Sequence, residues 1–314
     1  MKRLFTLLTL AFSLQMAVAQ DEAIFSHYHI NPILINPSAA GFNEMHHLQM
    51  NLRNQWTGFP GAPTTYMISY NGPIGKTLGV GIGALTENIA QLTRFRVNLN
   101  YAFRFKMSDA LKFSAGFSTE FQEMRLANSV FDQGGALYEE GDFIVENAVD
   151  GARLFDANLG VFGRYQEATY FGLSFPNLVR ARLDDIATSE EQTQGSFFKF
   201  YIFQLGHKFD FEDYNFKLEP SLMVRKVRNV PFQVDFNLLA GFLDDQVQTG
   251  LSYRSGVGGA IGILLGTKLS ALSAFYSYDI SFQEFQQYNG GTHELTVAFD
   301  FQTSKSKNKA KKKK

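Results

Sequence analysis

Residues 94–106 read Arg-Phe-Arg-Val-Asn-Leu-Asn-Tyr-Ala-Phe-Arg-Phe-Lys. Phe95, Val97, Leu99, Tyr101, Phe103 and Phe105 alternate with Arg94, Arg96, Asn98, Asn100, Arg104 and Lys106, and only Ala102 interrupts the polar set. Successive side chains of a strand point to opposite faces, so a strand separates the two sets and a helix mixes them. The stretch is therefore a β-strand with one apolar and one polar face. It is also long enough to cross a bilayer when tilted, which takes about 9–11 residues.

The pattern repeats on both sides. Leu111, Phe113, Ala115, Phe117 and Phe121 oppose Lys112, Ser114, Glu120 and Gln122; Phe232, Val234, Phe236, Leu238 and Phe242 oppose Gln233, Asp235 and Asn237; Leu295, Val297, Phe299 and Phe301 oppose Thr296 and Asp300. Read outward from these, the chain offers fourteen strands, at 46–56, 64–71, 78–88, 94–106, 110–124, 153–166, 168–176, 197–210, 214–227, 231–243, 246–255, 257–267, 269–282 and 291–302. The expected fold is all-β: a transmembrane antiparallel up-and-down barrel of about 14 strands over 46–302. A soluble β-sandwich also alternates, but it does not need such long strands or so many of the 32 Phe on one face. The mean hydropathy of −0.13 suits a barrel, because only the lipid-facing half of each strand is apolar.

The connections follow a parity. The two longest, 125–152 and 177–196, both join odd to even strands, while the even-to-odd connections near 107–109, 167, 211–213 and 244–245 are short. Bacterial barrels keep short turns in the periplasm and longer loops outside. The N- and C-termini are thus expected in the periplasm and the barrel in the outer membrane.

The ends read differently from the body. Met1-Lys2-Arg3, the apolar run 4–14 and Ala17-Val18-Ala19 form a secretory leader over 1–19, with Gln20 as the first mature residue. Residues 20–45 form a periplasmic or plug-like segment, and 303–314 a Lys-rich periplasmic tail expected to be disordered. Lys2 and Arg3 leave with the leader, and seven lysines lie in the last ten positions, so 20 of the 29 basic residues face 30 acidic ones in the body. That balance does not suit a nucleic-acid surface. With no Cys there is no disulfide, no thiolate metal site and no lipid anchor on Cys.

Little in the sequence points to catalysis. His46 and His47 are neighbours on a strand and point to opposite faces, so they do not share a metal ion. Gly79, Gly81 and Gly83 lack the helix and the Gly-Lys-Ser/Thr of a phosphate loop, and read as small inward residues. Asp184-Asp185 and Glu190-Glu191 read as a solvated loop edge. No Gly-x-Ser-x-Gly elbow occurs. No catalytic residue, metal or cofactor is expected.

Three blocks carry more specific information. Residues 25–41 read Phe-Ser-His-Tyr-His-Ile-Asn-Pro-Ile-Leu-Ile-Asn-Pro-Ser-Ala-Ala-Gly, residues 53–63 read Arg-Asn-Gln-Trp-Thr-Gly-Phe-Pro-Gly-Ala-Pro, and residues 291–295 read Gly-Thr-His-Glu-Leu. Pro32 and Pro37 fix φ and push Asn31 and Asn36 toward extended geometry, which makes the first block a rigid, turn-rich leader that can fold into the barrel mouth or lumen. Together the blocks resemble the PorP/SprF family of the Bacteroidetes type IX secretion and gliding motility system. Ser38, where that family carries Ala, and the Lys tail depart from its pattern. The resemblance implies a non-enzymatic outer-membrane component that docks secreted cargo at the cell surface, often an adhesin, through its C-terminal sorting domain. It also implies links to periplasmic lipoprotein or motor-ring components. The partner-binding candidates it marks are Asn31, Pro32, Asn36, Pro37, Gly41, Arg53, Gln55, Trp56, Gly58, Gly61, Pro63, His293 and Glu294. The alternative is a porin or substrate-specific channel with Arg94, Arg96, Arg104 and Lys112 lining the pore. A barrel lipid hydrolase needs a Ser/His pair near the membrane edge, which the sequence does not offer.

Overall fold

The computed structural model describes residues 25–127, 151–179, 181–183, 198–227, 232–256 and 259–302. Its strands are β1 (His46–Asn54), β2 (Thr64–Ile74), β3 (Leu78–Ile89), β4 (Leu92–Lys106), β5 (Leu111–Leu126), β6 (Ala152–Tyr165) and β7 (Thr169–Phe175). They continue as β8 (Tyr201–His207, resumed at Phe209–Phe211), β9 (Phe216–Lys226), β10 (Gln233–Phe242), β11 (Val247–Ser255), β12 (Ala260–Leu269), β13 (Leu272–Ser281) and β14 (Thr292–Phe301). Each pairs antiparallel with the next, and β1 pairs with β14 from His46↔Phe301 to Asn54↔His293, which closes a 14-strand barrel. The two pieces of β8 keep one register against β9, from Gly206↔Ser221 to Phe209↔Leu218. The ladder lapses between them because Pro220 of β9 stands there and has no N–H to donate.

The pattern of burial is the reverse of a soluble protein. In β4, Phe95 is 44% exposed and Phe103 54%, while Arg94 is 3% exposed and Arg104 7%. The alternation read at 94–106 therefore points its aromatics out and its charges in. Met50, Tyr66, Ile68, Phe121, Leu159 and Phe236 extend the apolar belt around the wall. Water does not favour such a surface, and lipid does. A two-residue bridge, Ala181–Arg182, pairs with the start of β6. Among the described residues the only helical pieces are short 3₁₀ turns, and no helix is long and apolar enough to cross a membrane.

The connections differ between the two ends. At the end where β1 begins and β14 finishes, hereafter the near end, the turns are 75–77, 107–110, 166–168, 212–215, 243–246 and 270–271. At the far end, 55–63 and 282–291 are longer, and most of the two longest connections lies outside the described residues. So do the leader 1–19, both acidic pairs and the Lys tail.

Candidate functional site

The lumen is not empty. Residues 25–45 run through it from the far half to the near end, folding as three 3₁₀ turns, His27–His29, Pro32–Leu34 and Pro37–Ala39. The sequence fixes the last two locally. Asn31 and Asn36 sit extended at the N-caps with Pro at the first position of each turn, where a missing N–H costs nothing. Asn36 Oδ1 accepts from the Ser38 N–H at 3.1 Å and from the Ser38 hydroxyl at 2.5 Å.

Four contacts around the circumference fix the segment to the wall. Asn31 donates to Gln49 Oε1 of β1 (2.8 Å), and Asn36 donates to the carbonyl of Val161 in β6 (2.9 Å). Ser174 of β7 donates to the Ile35 carbonyl (2.7 Å), and Asn237 of β10 donates to the Tyr28 hydroxyl (2.6 Å). Apolar anchors lie between these contacts. Phe25 packs on Met67 and Leu85, Tyr28 on Ile202, Met223 and Val227, Ile33 and Ala40 on Ala102, and Phe42 on Phe162 and Tyr170.

The wall is shaped to receive this segment. A Cβ on Gly79 would lie 1.9 Å from the Ala40 carbonyl oxygen, one on Gly116 2.7 Å from Ser38 Cα, and one on Gly160 2.2 Å from Asn36 Oδ1. Gly81 and Gly172 approach Ile33 and Asn36 in the same way. Inward glycines of β3, β5, β6 and β7 thus form a flat seat along one side of the lumen. Gly41 reciprocates. Its φ is +61°, and a Cβ there would sit 2.6 Å from the Gly72 carbonyl oxygen.

Toward the far end, the first residues of the segment meet a buried charge cluster. Glu294 of β14 accepts from the Ser26 N–H (2.7 Å), the His27 N–H (3.2 Å) and Arg53 Nη1 of β1 (2.9 Å). Ser26 donates its hydroxyl to Asp279 of β13 at 2.8 Å, and Arg53 lies 3.5 Å from the same carboxylate. Arg53 and Glu294 are cross-strand partners on the β1–β14 seam, so the segment straddles the line where the barrel closes.

Beside the segment, toward β8–β14, a cavity of about 230 Å³ remains at the near end. His29, Ile30 and Asn43 bound it on one side, and Lys208, Lys217, Lys268, Asp245 and Asp300 on the other. Lys217 donates to Asp245 at 2.8 Å, and Asp300 lies 2.6 Å from His47 Nδ1. Burial alone would raise the Asp245 carboxyl. The Lys217 hydrogen bond and the charges of Lys208, Lys217 and Lys268 outweigh it and hold the group below its usual carboxylate value.

The candidates marked in the sequence divide by place. Asn31, Pro32, Asn36, Pro37 and Gly41 belong to the luminal segment, and Arg53 and Glu294 to the buried cluster; Asn36, Arg53 and Glu294 have almost no open surface. Gln55, Trp56, Gly58, Gly61 and Pro63 form the far-end loop 55–63, closed by Gln55 N–H to the Pro63 carbonyl (2.9 Å) and tied to β14 through Thr57 and Gly291 (2.8 Å). His293 faces outward beside Tyr276. The cations proposed to line a pore are engaged. Arg94 pairs with Glu87 (2.8 Å), Arg96 with Glu120 (3.7 Å), Arg104 donates to the Gly41 carbonyl (2.7 Å), and Lys112 pairs with Glu167 at the near-end rim (2.5 Å). His46 and His47 take opposite faces, against Tyr70 and Asp300. Ser26 and His27 lie in the block 25–41 but were not marked as site residues, and Asp279 and the seat glycines 116, 160 and 172 carried no signal in the sequence.

A lipid-facing apolar belt, a closed antiparallel wall and a polar interior define an outer-membrane β-barrel, here with its lumen occupied by the chain's own N-terminal segment. Residues 17–299 match the family described as type IX secretion system membrane protein PorP/SprF, and the chain belongs to that family. Solved outer-membrane barrels are similar to the chain at very low identity. The Ralstonia pickettii toluene transporter TbuX is 9% identical over 86% of this chain and 92% of that one, with a TM-score of 0.50. A Pseudomonas aeruginosa FadL homologue is 11% identical (85% and 93% covered, TM-score 0.46), and the Acinetobacter baumannii outer membrane protein Omp33 is 7% identical (84% and 100%, 0.45). Among curated proteins none matches the sequence.

Proposed function

We propose that this protein is a docking barrel of type IX secretion. It holds a secreted cargo protein, such as an adhesin, at the cell surface through the cargo's C-terminal sorting domain, and its near end meets the periplasmic machinery. The observation that carries this reading over a porin is the filled lumen. Residues 25–45 occupy the passage, and the arginines that would line a pore are spent on the segment or on wall carboxylates. The interior also speaks against a hydrocarbon channel, because its wall is polar (Gln49, Asn51, Thr65, Asn100, Ser118, Gln204). The short turns of the near end fit the periplasmic side and the longer connections of the far end the outside, which leaves loop 55–63 facing the cargo.

Affinity purification of the tagged barrel from outer membranes tests the reading. A type IX cargo protein is expected to co-purify, and to be lost when its sorting domain is deleted. Recovery of the barrel without cargo, together with a steady open current in planar bilayers, supports the porin instead.

A further inference from the structure

The luminal segment is inside the barrel without being part of its wall. The ladder closes between β1 and β14 with no strand contributed by residues 25–45. The segment is made of single 3₁₀ turns joined at Asn31 and Asn36, and such turns hold little structure without their surroundings. Its apolar contacts form four separate clusters and not one core. Most of its hydrogen bonds go to inward side chains, Gln49, Asn71, Ser174, Asn237 and Glu294, all of which water can solvate in its place. Water exchanges for such bonds at small net cost.

Two further features bear on movement. The cavity of about 230 Å³ lies directly against His29, Ile30 and Asn43, so the segment has open space on one flank. On the other flank its seat is glycine. When the segment leaves, Gly79, Gly81, Gly116, Gly160 and Gly172 put nothing into the vacated space. A lumen without the segment is therefore wide on that side and lined mostly by polar groups, with Met67, Leu85, Ile202, Met223 and Phe162 as isolated apolar patches between them. An 8-stranded barrel is filled by its own side chains and a 16-stranded one leaves a water channel; at 14 strands, a glycine-lined wall tips the balance toward a passage.

We infer that residues 25–45 are a removable plug, and that the barrel without it conducts water, ions and small hydrophilic solutes. The inference uses the filled lumen of the docking reading but not the docking itself. Bilayer currents test the plug and cargo co-purification tests the docking, so either can fail alone.

The absence of Cys from the chain makes a clean lock possible. An ideal Cβ on Gly160 lies 3.1 Å from Asn36 Cγ, and Asn36 Cβ is one bond beyond and farther than the 3.3 Å of the next neighbour, Pro37 Cδ. That is the separation a disulfide spans, about 3.5–4.5 Å between Cβ atoms. The experiment compares three purified full-length barrels or variants in planar bilayers under applied voltage: the wild type, a variant lacking 25–45, and N36C/G160C, each first shown to be folded by its migration in unheated gels. The expected results are brief openings in the wild type, a steady current in the deletion, and loss of openings in oxidised N36C/G160C with return on reduction. A folded deletion variant that stays closed overturns the passage. A wild type that never opens, or openings that persist in the oxidised double variant, overturns the removable plug.

Discussion

Gly79→Ala tests the seat of the luminal segment by a single methyl group. Its Cβ would stand 1.9 Å from the Ala40 carbonyl oxygen and 2.8 Å from its carbon. Ordinary carbon–oxygen contact is about 3.3 Å, so one partner must retreat by about 1.4 Å. Strand β3 is paired on both sides from Leu78 to Asn88 and cannot yield without breaking two ladders. The segment yields instead. At that point it is held by the Gly41 N–H to Asn71 Oδ1 (3.1 Å) and by Arg104 Nη1 to the Gly41 carbonyl (2.7 Å). A neutral hydrogen bond contributes about 0.5–1.5 kcal/mol and one to a charged group about 1.5–3, so losing both costs about 2–4.5 kcal/mol. Gly83→Ala is the control. It also faces inward, but its nearest neighbour is the Asn98 amide oxygen, the free end of a side chain that can rotate away, at 2.6 Å. Its expected cost is within about 0.5 kcal/mol. The assay is limited proteolysis of residues 25–45 in the vesicle-reconstituted barrel, with urea unfolding alongside. Gly79→Ala exposes the segment to cleavage while the barrel stays folded, and Gly83→Ala does not. Equal protection in the two variants refutes the rigid seat.

Other consequences follow from the same contacts. Arg53→Met leaves Glu294 and Asp279 buried beside each other without their cation, and is expected to cost about 3–5 kcal/mol in urea unfolding; adding Glu294→Leu recovers part of that loss. Asn36→Ala removes an N-cap and the bond to Val161, at about 1–3 kcal/mol, and raises the cleavage rate of the segment without opening the barrel wall. Because the folded Asp245 carboxyl titrates below its unfolded value of about 3.9, its contribution is present above that pH and is lost as pH falls through the folded value. The unfolding midpoint therefore drops on acidification below about pH 4, and Asp245→Asn flattens that part of the profile.

The wall of this protein was legible because each strand announces itself locally. The alternation at 94–106 needs only the period of a strand to be read, and β4 runs from Leu92 to Lys106. Even the short β7 falls inside the expected 168–176, since Thr169–Phe175 carries its own alternation. The lapse at Lys208 was not legible. Its cause, Pro220, lies on the partner strand, and only the register brings the two together. The Asn-Pro block marked 25–41 as turn-rich, through two prolines that push Asn31 and Asn36 toward extended geometry. Where it lodges depends on Gly79, Gly116 and Gly160, which are far apart in the chain and look locally like any small inward residue. The cluster of Ser26, Arg53, Asp279 and Glu294 was hidden for the same reason. Arg53 and Glu294 were singled out from two separate motifs, and nothing in either motif says that they meet across the closing seam.

The docking role itself is tested most directly in cells. The measurement is the amount of type IX cargo on the surface of a strain from which this gene has been deleted, compared with its parent and with a complemented strain. The account predicts that at least one cargo protein disappears from the surface, is found in the medium or in the cell, and returns on complementation. Surface cargo in unchanged amounts across all type IX substrates contradicts it.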